Sequence, residues 1–141
     1  MNSIGSSLQA GLTNIMPNFD KKKAAEWIRT NALPPYGAGV CATHVRKALE
    51  AGGLDTTGHP ASAKDWGPTL TRNGFVALVA DNPTPQLGDV IVMQSTSAST
   101  DGHIEYYDGE NWISDFIQRE LWPGPSFRSE KPSYTIYRPP S

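Results

Sequence analysis

The hydrophobic pattern of this chain changes once, at Gly74, and this change limits the folds that the chain can adopt. Before Gly74, apolar residues recur at the three- and four-residue spacing of amphipathic helices, and Gly or Pro residues end each segment. After Gly74, apolar residues form short runs that are typical of strands. The predicted helices run from residue 20 to about 31, from about 41 to 52–53 and from 62 to 73–74, and the predicted strands are 75–79, 90–93, 103–107, 111–117 and 134–137.

Helices that precede an antiparallel sheet predict an α+β fold. The chain has 141 residues, which is enough for one domain with a buried core, and no linker-like segment divides it. We therefore expect a single domain over residues 1–141, with the polar segment 1–18 as a loosely ordered lead-in.

Composition and the N-terminal residues argue against several classes of protein. The formal net charge of −2 gives no basic excess, so no nucleic-acid partner is expected. No apolar run approaches the roughly 18 residues of a membrane span, and residues 1–8 lack the basic and apolar regions of a Sec signal peptide. We also expect no metal and no other cofactor, since the histidines and carboxylates show no metal-ligand spacing.

Cys41 is the only cysteine in the chain, and it lies where the loop 37–40 enters the second predicted helix. Unpaired N–H groups and the positive end of the helix dipole favour a thiolate at such a position. His103 begins a predicted strand later in the chain, and a thiol followed by an imidazole is the order found in papain-like amide hydrolases. We predict that Cys41 is a nucleophile and His103 its base. The N–H of Cys41, with that of a loop neighbour, would then stabilise the oxyanion.

A group that orients the imidazole should lie on the strand beside His103. A two-residue turn at 108–109 would place Ser114 opposite His103, whereas a three-residue loop would place Asp115 there. A one-residue slip exchanges the two faces of a strand, so the sequence does not decide between them. We favour Asp115, because a carboxylate both fixes the imidazole tautomer and stabilises the imidazolium.

Three segments carry a family resemblance: GVCA at 39–42, QLGDVIV at 86–92 and GHIEYYDG at 102–109. Over residues 22–117 the chain resembles the NlpC/CHAP-type cysteine peptidases of bacterial cell walls. The resemblance implies a papain-like catalytic domain, with the nucleophile on a helix packed against an antiparallel sheet that bears the histidine. Cys41 matches the nucleophile, His103 matches the base, and Asp115 matches the variable third polar residue.

The small size and the expected lack of a signal peptide are similar to the type VI secretion amidase effectors. This resemblance implies metal-free cleavage of stem-peptide or cross-link amides in peptidoglycan. It also implies synthesis in the cytoplasm, export into the periplasm of a rival bacterium, and a cognate immunity protein as a partner.

The predicted substrate-binding residues are Tyr36, Gly39, Ser114 and Glu105. Tyr36 is the best groove candidate, because it lies just before the nucleophile loop. Glu105 shares a strand face with His103, so it either holds the imidazole or contacts substrate, with a solvated strand residue as the alternative.

Several functional alternatives remain open from the sequence. A phage-type lysis enzyme of the same superfamily would keep the chemistry and change the biological setting. A papain-like deamidase toxin would keep the fold and act on a protein glutamine instead. A non-enzymatic binding module would use the same fold without a primed thiol. The sequence does not indicate which peptidoglycan bond an amidase would cut.

Overall fold

The structure is a computed structural model that describes residues 18–140, in which four helices and five strands are assigned. The helices are α1 (Lys21–Thr30), α2 (Cys41–Ala51), α3 (Gly67–Arg72) and α4 (Pro125–Glu130), with a 3₁₀ turn at Ala63–Asp65 before α3. The strands are β1 (Val76–Ala77), β2 (Val90–Met93), β3 (His103–Tyr107), β4 (Trp112–Ile113) and β5 (Tyr134–Arg138). The predicted α+β class is confirmed. Residues 1–17 of the predicted lead-in lie outside the described residues.

The five strands form one antiparallel sheet in the order β1-β5-β2-β3-β4. The central strand β2 is buried along its whole length, which explains its uninterrupted apolar run. On its two sides, Val92 pairs with Ile104 of β3 and with Thr135 of β5. This pairing fixes β3, and therefore His103, next to the centre of the sheet.

Helices α1 and α2 cover one face of the sheet with apolar stripes. Each stripe follows the helical spacing that the sequence predicted. The main contributors to this core are Ala24, Ala25 and Ile28 of α1, Val45, Ala48 and Leu49 of α2, and Val90, Val92, Ile104 and Tyr106 of the sheet. A fully buried Val, Leu or Ile side chain contributes about 1.5–3 kcal/mol, so this core holds α2 firmly against β3. None of the helices among residues 18–140 has the length and apolarity needed to cross a bilayer.

The hairpin that joins β3 to β4 has a different register from either predicted one. Tyr107 pairs with Trp112, so the connection contains the four residues 108–111. The side chain of Asp108 accepts hydrogen bonds from the N–H groups of Glu110 (2.9 Å) and Asn111 (2.7 Å). This local capping by an aspartate stabilises a longer loop than a two- or three-residue turn.

The second strand of that hairpin is also shorter than predicted. It ends at Ile113 instead of residue 117, and the Ser114 N–H donates to the carbonyl of Phe116 (3.0 Å) as the chain turns away. Consequently, neither Ser114 nor Asp115 pairs with His103 across the sheet.

Candidate active site

Cys41 is the first residue of α2, and its side chain is partly exposed. The preceding residue, Val40, supplies no side-chain cap to the helix. The approach to the helix uses left-handed backbone at Tyr36 (φ 76°), Gly37 (φ 60°) and Gly39 (φ 74°). The loop therefore bends sharply and presents the thiol at the positive end of the helix dipole.

His103 is the first residue of β3, and only 7% of it is exposed. Its Nε2 lies 3.0 Å from Gln118 Oε1 and 3.2 Å from Glu105 Oε2. Cys41 lines the same cleft as this ring, and the thiol is one of the groups that raise the pKa of the imidazole. Because Nε2 faces Gln118 and Glu105, Nδ1 is the ring nitrogen left for the thiol. The predicted nucleophile and base thus lie at one cleft.

A buried polar pair stands behind the histidine. Glu105 is fully buried and Gln118 is 3% exposed. Gln118 Nε2 donates to Glu105 Oε2 (2.9 Å) and to the carbonyl oxygens of Glu120 (3.0 Å) and Leu121 (3.1 Å). These bonds orient the amide so that its oxygen faces the imidazole. Sequence reasoning missed Gln118, because only the turn after β4 brings it back to His103.

The charge of His103 depends on its two neighbours. Burial alone would lower its pKa, but the Cys41 thiol and the Glu105 carboxylate outweigh burial and raise the pKa of His103 from 6.5 to about 10. Burial raises the pKa of Glu105, and its contacts with His103 and Gln118 oppose this effect. The raised pKa favours the imidazolium form of His103 at neutral pH. The contribution of protonated His103 to the free energy of unfolding is complete below pH 6.5 and is lost as the pH rises through about 10.

Asp115 lies under the nucleophile loop. Its Oδ2 accepts hydrogen bonds from the N–H groups of Ala38 (2.7 Å) and Val40 (3.0 Å). Burial would raise the pKa of this carboxyl, but these two N–H groups outweigh burial and lower it. The prediction that Asp115 lies beside the His103 imidazole is therefore corrected. The longer hairpin and the turn after β4 carry Asp115 to the loop instead.

The four predicted substrate-binding residues separate into two pairs. Tyr36, which is 84% exposed, and Gly39 both line the cleft in front of Cys41. Ser114 and Glu105 are fully buried, so they have no surface with which to contact a substrate. The prediction that Ser114 and Glu105 bind substrate is therefore corrected. For Glu105, the structure agrees with the alternative in which its carboxylate holds the imidazole of His103.

The cleft has a volume of about 400 Å³. Cys41 and His103 both line it, together with three wall segments that lie within 36–43, 99–102 and 123–127. Phe127 of α4 packs against His103 with the ring centroids 5.6 Å apart. No group of three or more His, Cys, Asp and Glu side chains among residues 18–140 is placed to hold a metal ion. The arrangement is an accessible thiol with a buried, oriented imidazole.

No model of a known protein family matches this chain, and no curated protein matches it. One chain in the crystal structure of the type VI native effector–immunity complex Tae3–Tai3 from Ralstonia pickettii is 41% identical, with a TM-score of 0.79. The match covers 86% of this chain and 100% of that chain. This chain belongs to the Tae3 family of type VI effectors. The predicted resemblance to type VI effectors is confirmed at this level.

Two further structures are similar to this Tae3-family chain. The selenomethionine form of the Ralstonia pickettii complex matches with 43% identity and a TM-score of 0.75, covering 82% of this chain and 99% of that one. The structure of Ly7917 with the hydrolyzing product of MDP matches with 15% identity and a TM-score of 0.50, covering 85% of this chain and 62% of that one. At 15% identity, the match to Ly7917 shows similarity of fold alone.

Proposed function

We propose that this Tae3-family effector is a cysteine-dependent amidase with a papain-like NlpC/CHAP fold, and that it hydrolyses peptide amides of peptidoglycan. The observation that carries the proposal is that the Cys41 thiol and the His103 imidazole line one open cleft. The type VI effector family supports an antibacterial role, with action in the periplasm of a target cell. The Tae3–Tai3 complexes support a cognate immunity protein as partner.

Hydrolysis would proceed in two steps on this geometry. The Cys41 thiolate attacks the amide carbonyl, and the His103 imidazolium gives its proton to the departing amine, which leaves a thioester. His103, now neutral, takes a proton from water. The resulting hydroxide attacks the thioester, the acid product departs, and the thiolate–imidazolium pair is restored. Gln118 and Glu105 keep the ring in place throughout.

The oxyanion needs N–H donors that have no other acceptor. Within the described part of the chain, the N–H groups of Ala38 and Val40 are taken by Asp115, whereas those of Cys41 and Gly39 have no acceptor. We therefore assign the oxyanion donors to Cys41 and Gly39. The sequence predicted that the oxyanion is stabilised by the N–H of Cys41 and that of an unspecified loop neighbour, and this assignment identifies the neighbour as Gly39.

Purified peptidoglycan incubated with the protein is expected to release soluble peptides that carry new free amines, while the glycan strands stay intact. Mass spectrometry of the products would identify the cut amide, and an assay of reducing sugar ends would monitor the glycan. A rise in reducing ends without new amines would contradict the proposal. A mass change on a protein glutamine, with no peptide release, would favour the deamidase alternative.

Replacing Glu105 by glutamine is expected to move the alkaline limit of activity to lower pH by roughly 1–3 pH units. The carboxylate is one of the groups that raise the pKa of His103 to about 10. Without this charge, the imidazolium loses its proton at a lower pH and can no longer protonate the leaving amine. The measurement is kcat as a function of pH.

The matched control for this variant is Glu110→Gln, because Glu110 is an exposed glutamate on the β3–β4 loop. Its pH profile should follow that of the wild-type protein. An alkaline limb at the same pH for Glu105→Gln and Glu110→Gln would contradict the role given to Glu105.

A further inference from the structure

The loop that carries the nucleophile is held at both ends by one residue. The Asp115 backbone carbonyl accepts a hydrogen bond from the Leu33 N–H (2.7 Å), before the loop. Its side-chain Oδ2 accepts from the N–H groups of Ala38 (2.7 Å) and Val40 (3.0 Å), at the end of the loop. Asp115 therefore ties residues 33–40 to the segment that follows β4.

The loop contains one backbone hydrogen bond of its own, from the Gly37 N–H to the Pro34 carbonyl (3.0 Å), and this bond does not reach its second half. Tyr36 adopts a left-handed φ of 76°, which a non-glycine residue keeps only when its surroundings impose it. At Gly37 (φ 60°), an added Cβ would overlap the Asp115 carboxylate, so the carboxylate packs directly against the loop backbone. Val40 gives no side-chain cap to α2. The Asp115 carboxylate supplies the acceptor for the Ala38 and Val40 N–H groups, which have none within the loop.

The charge of Asp115 suits this contact. Only 3% of the residue is exposed, and an ionised carboxylate makes stronger hydrogen bonds to N–H groups than a neutral acceptor does. The Ser114 hydroxyl donates to the other carboxylate oxygen, Oδ1 (3.3 Å), and helps to orient the group. The loop is thus fixed by two hydrogen bonds to an oriented carboxylate.

We propose that Asp115 is a positioning residue that clamps the nucleophile loop. It places the Cys41 sulfur for attack on the carbonyl and the Gly39 N–H for binding the oxyanion. It acts on the loop and not on the imidazole of His103. This inference rests on the proposed role of Cys41 as nucleophile. It gives the carboxylate a different task from that of a histidine-orienting acid.

The test compares Asp115→Ala with Asp115→Asn, which loses the charge but keeps one carbonyl oxygen as an acceptor. The matched control is Asp55→Ala, since the exposed Asp55 also accepts a backbone N–H, that of Thr57 (3.0 Å), outside the cleft. Thermal unfolding establishes that each variant folds. If Asp115→Ala does not fold, the asparagine variant is measured alone against the control.

The first readout needs no substrate, so it stands even if the proposed function fails. Amide hydrogen exchange at Ala38 and Val40 is expected to accelerate at least roughly tenfold in Asp115→Ala, with the core strands unchanged. Asp115→Asn should keep much of the protection, and Asp55→Ala all of it. Unchanged exchange at both amides in Asp115→Ala would overturn the clamp. If only Asp115→Asn folds, the loss of charge should weaken the two hydrogen bonds and accelerate exchange measurably, and exchange as slow as in the wild-type protein would overturn the clamp.

The second readout separates a clamp from a histidine-orienting acid. On a soluble muropeptide, Asp115→Ala should lower kcat roughly 10- to 100-fold with little change in KM, because the nucleophile is misplaced, and Asp115→Asn should recover most of that loss. The alkaline limb of the kcat–pH profile should stay at the same pH, because Asp115 is not among the groups that raise the pKa of His103. Equal losses of kcat in both variants, or a shifted alkaline limb, would overturn the proposal. Activity in a Cys41→Ala protein would instead reject the proposed function.

Discussion

Replacing Cys41 by alanine is expected to abolish release of peptides from purified peptidoglycan, with a loss of roughly 10⁴-fold or more in kcat. Cys41 is the only cysteine of the chain, so no other thiol can form the acyl intermediate. The side chain is partly exposed at the start of α2, so its loss should change the free energy of unfolding by about 1 kcal/mol or less. Product analysis and thermal unfolding measure the two quantities.

Cys41→Ser is a more conservative substitution at the same position. It keeps the size and a hydroxyl group, but an alcohol is a far weaker nucleophile than a thiolate at neutral pH, so it should also be nearly inactive. Activity close to that of the wild-type protein in Cys41→Ala would show that hydrolysis does not proceed through the thiol. That result would reject the cysteine mechanism and leave the description of the fold unchanged.

Replacing His103 by alanine is expected to lower kcat about as much as Cys41→Ala does, because the two side chains act as one unit. The imidazolium is both the partner of the thiolate and the proton donor to the leaving amine. The double variant should therefore be no worse than either single variant. The measurement is peptide release by all three proteins at equal concentration.

The control for the histidine variant is His59→Ala, which removes an exposed histidine that stacks on Trp66, outside the cleft. Its activity should equal that of the wild-type protein. His103→Ala also leaves the buried Glu105 without one of its donors, at a cost of about 1–3 kcal/mol in the free energy of unfolding. His103→Gln keeps a donor there, so it should be inactive but more stable. If the kcat losses of Cys41→Ala and His103→Ala multiply in the double variant, the two side chains do not act as one catalytic unit.

Local pattern was sufficient for much of the framework. The predicted strands 90–93 and 103–107 coincide with β2 and β3, and α1 lies within the predicted helix 20–31. Helical stripes, strand runs and turn residues depend on neighbours in the sequence, so they can be recognised there. By contrast, α4 is not among the predicted helices, and its Phe127 packs on the histidine.

The sequence by itself determined the order of thiol and imidazole, and it placed Cys41 at the start of a helix and His103 at the start of a strand. Only the tertiary structure decided what surrounds them. Asp115 went to the loop and Gln118 to the histidine because the Asp108 cap lengthens the hairpin and the chain turns back after Ile113. The partner of a buried polar group depends on register and on distant turns, and a shift of one residue exchanges the faces of a strand.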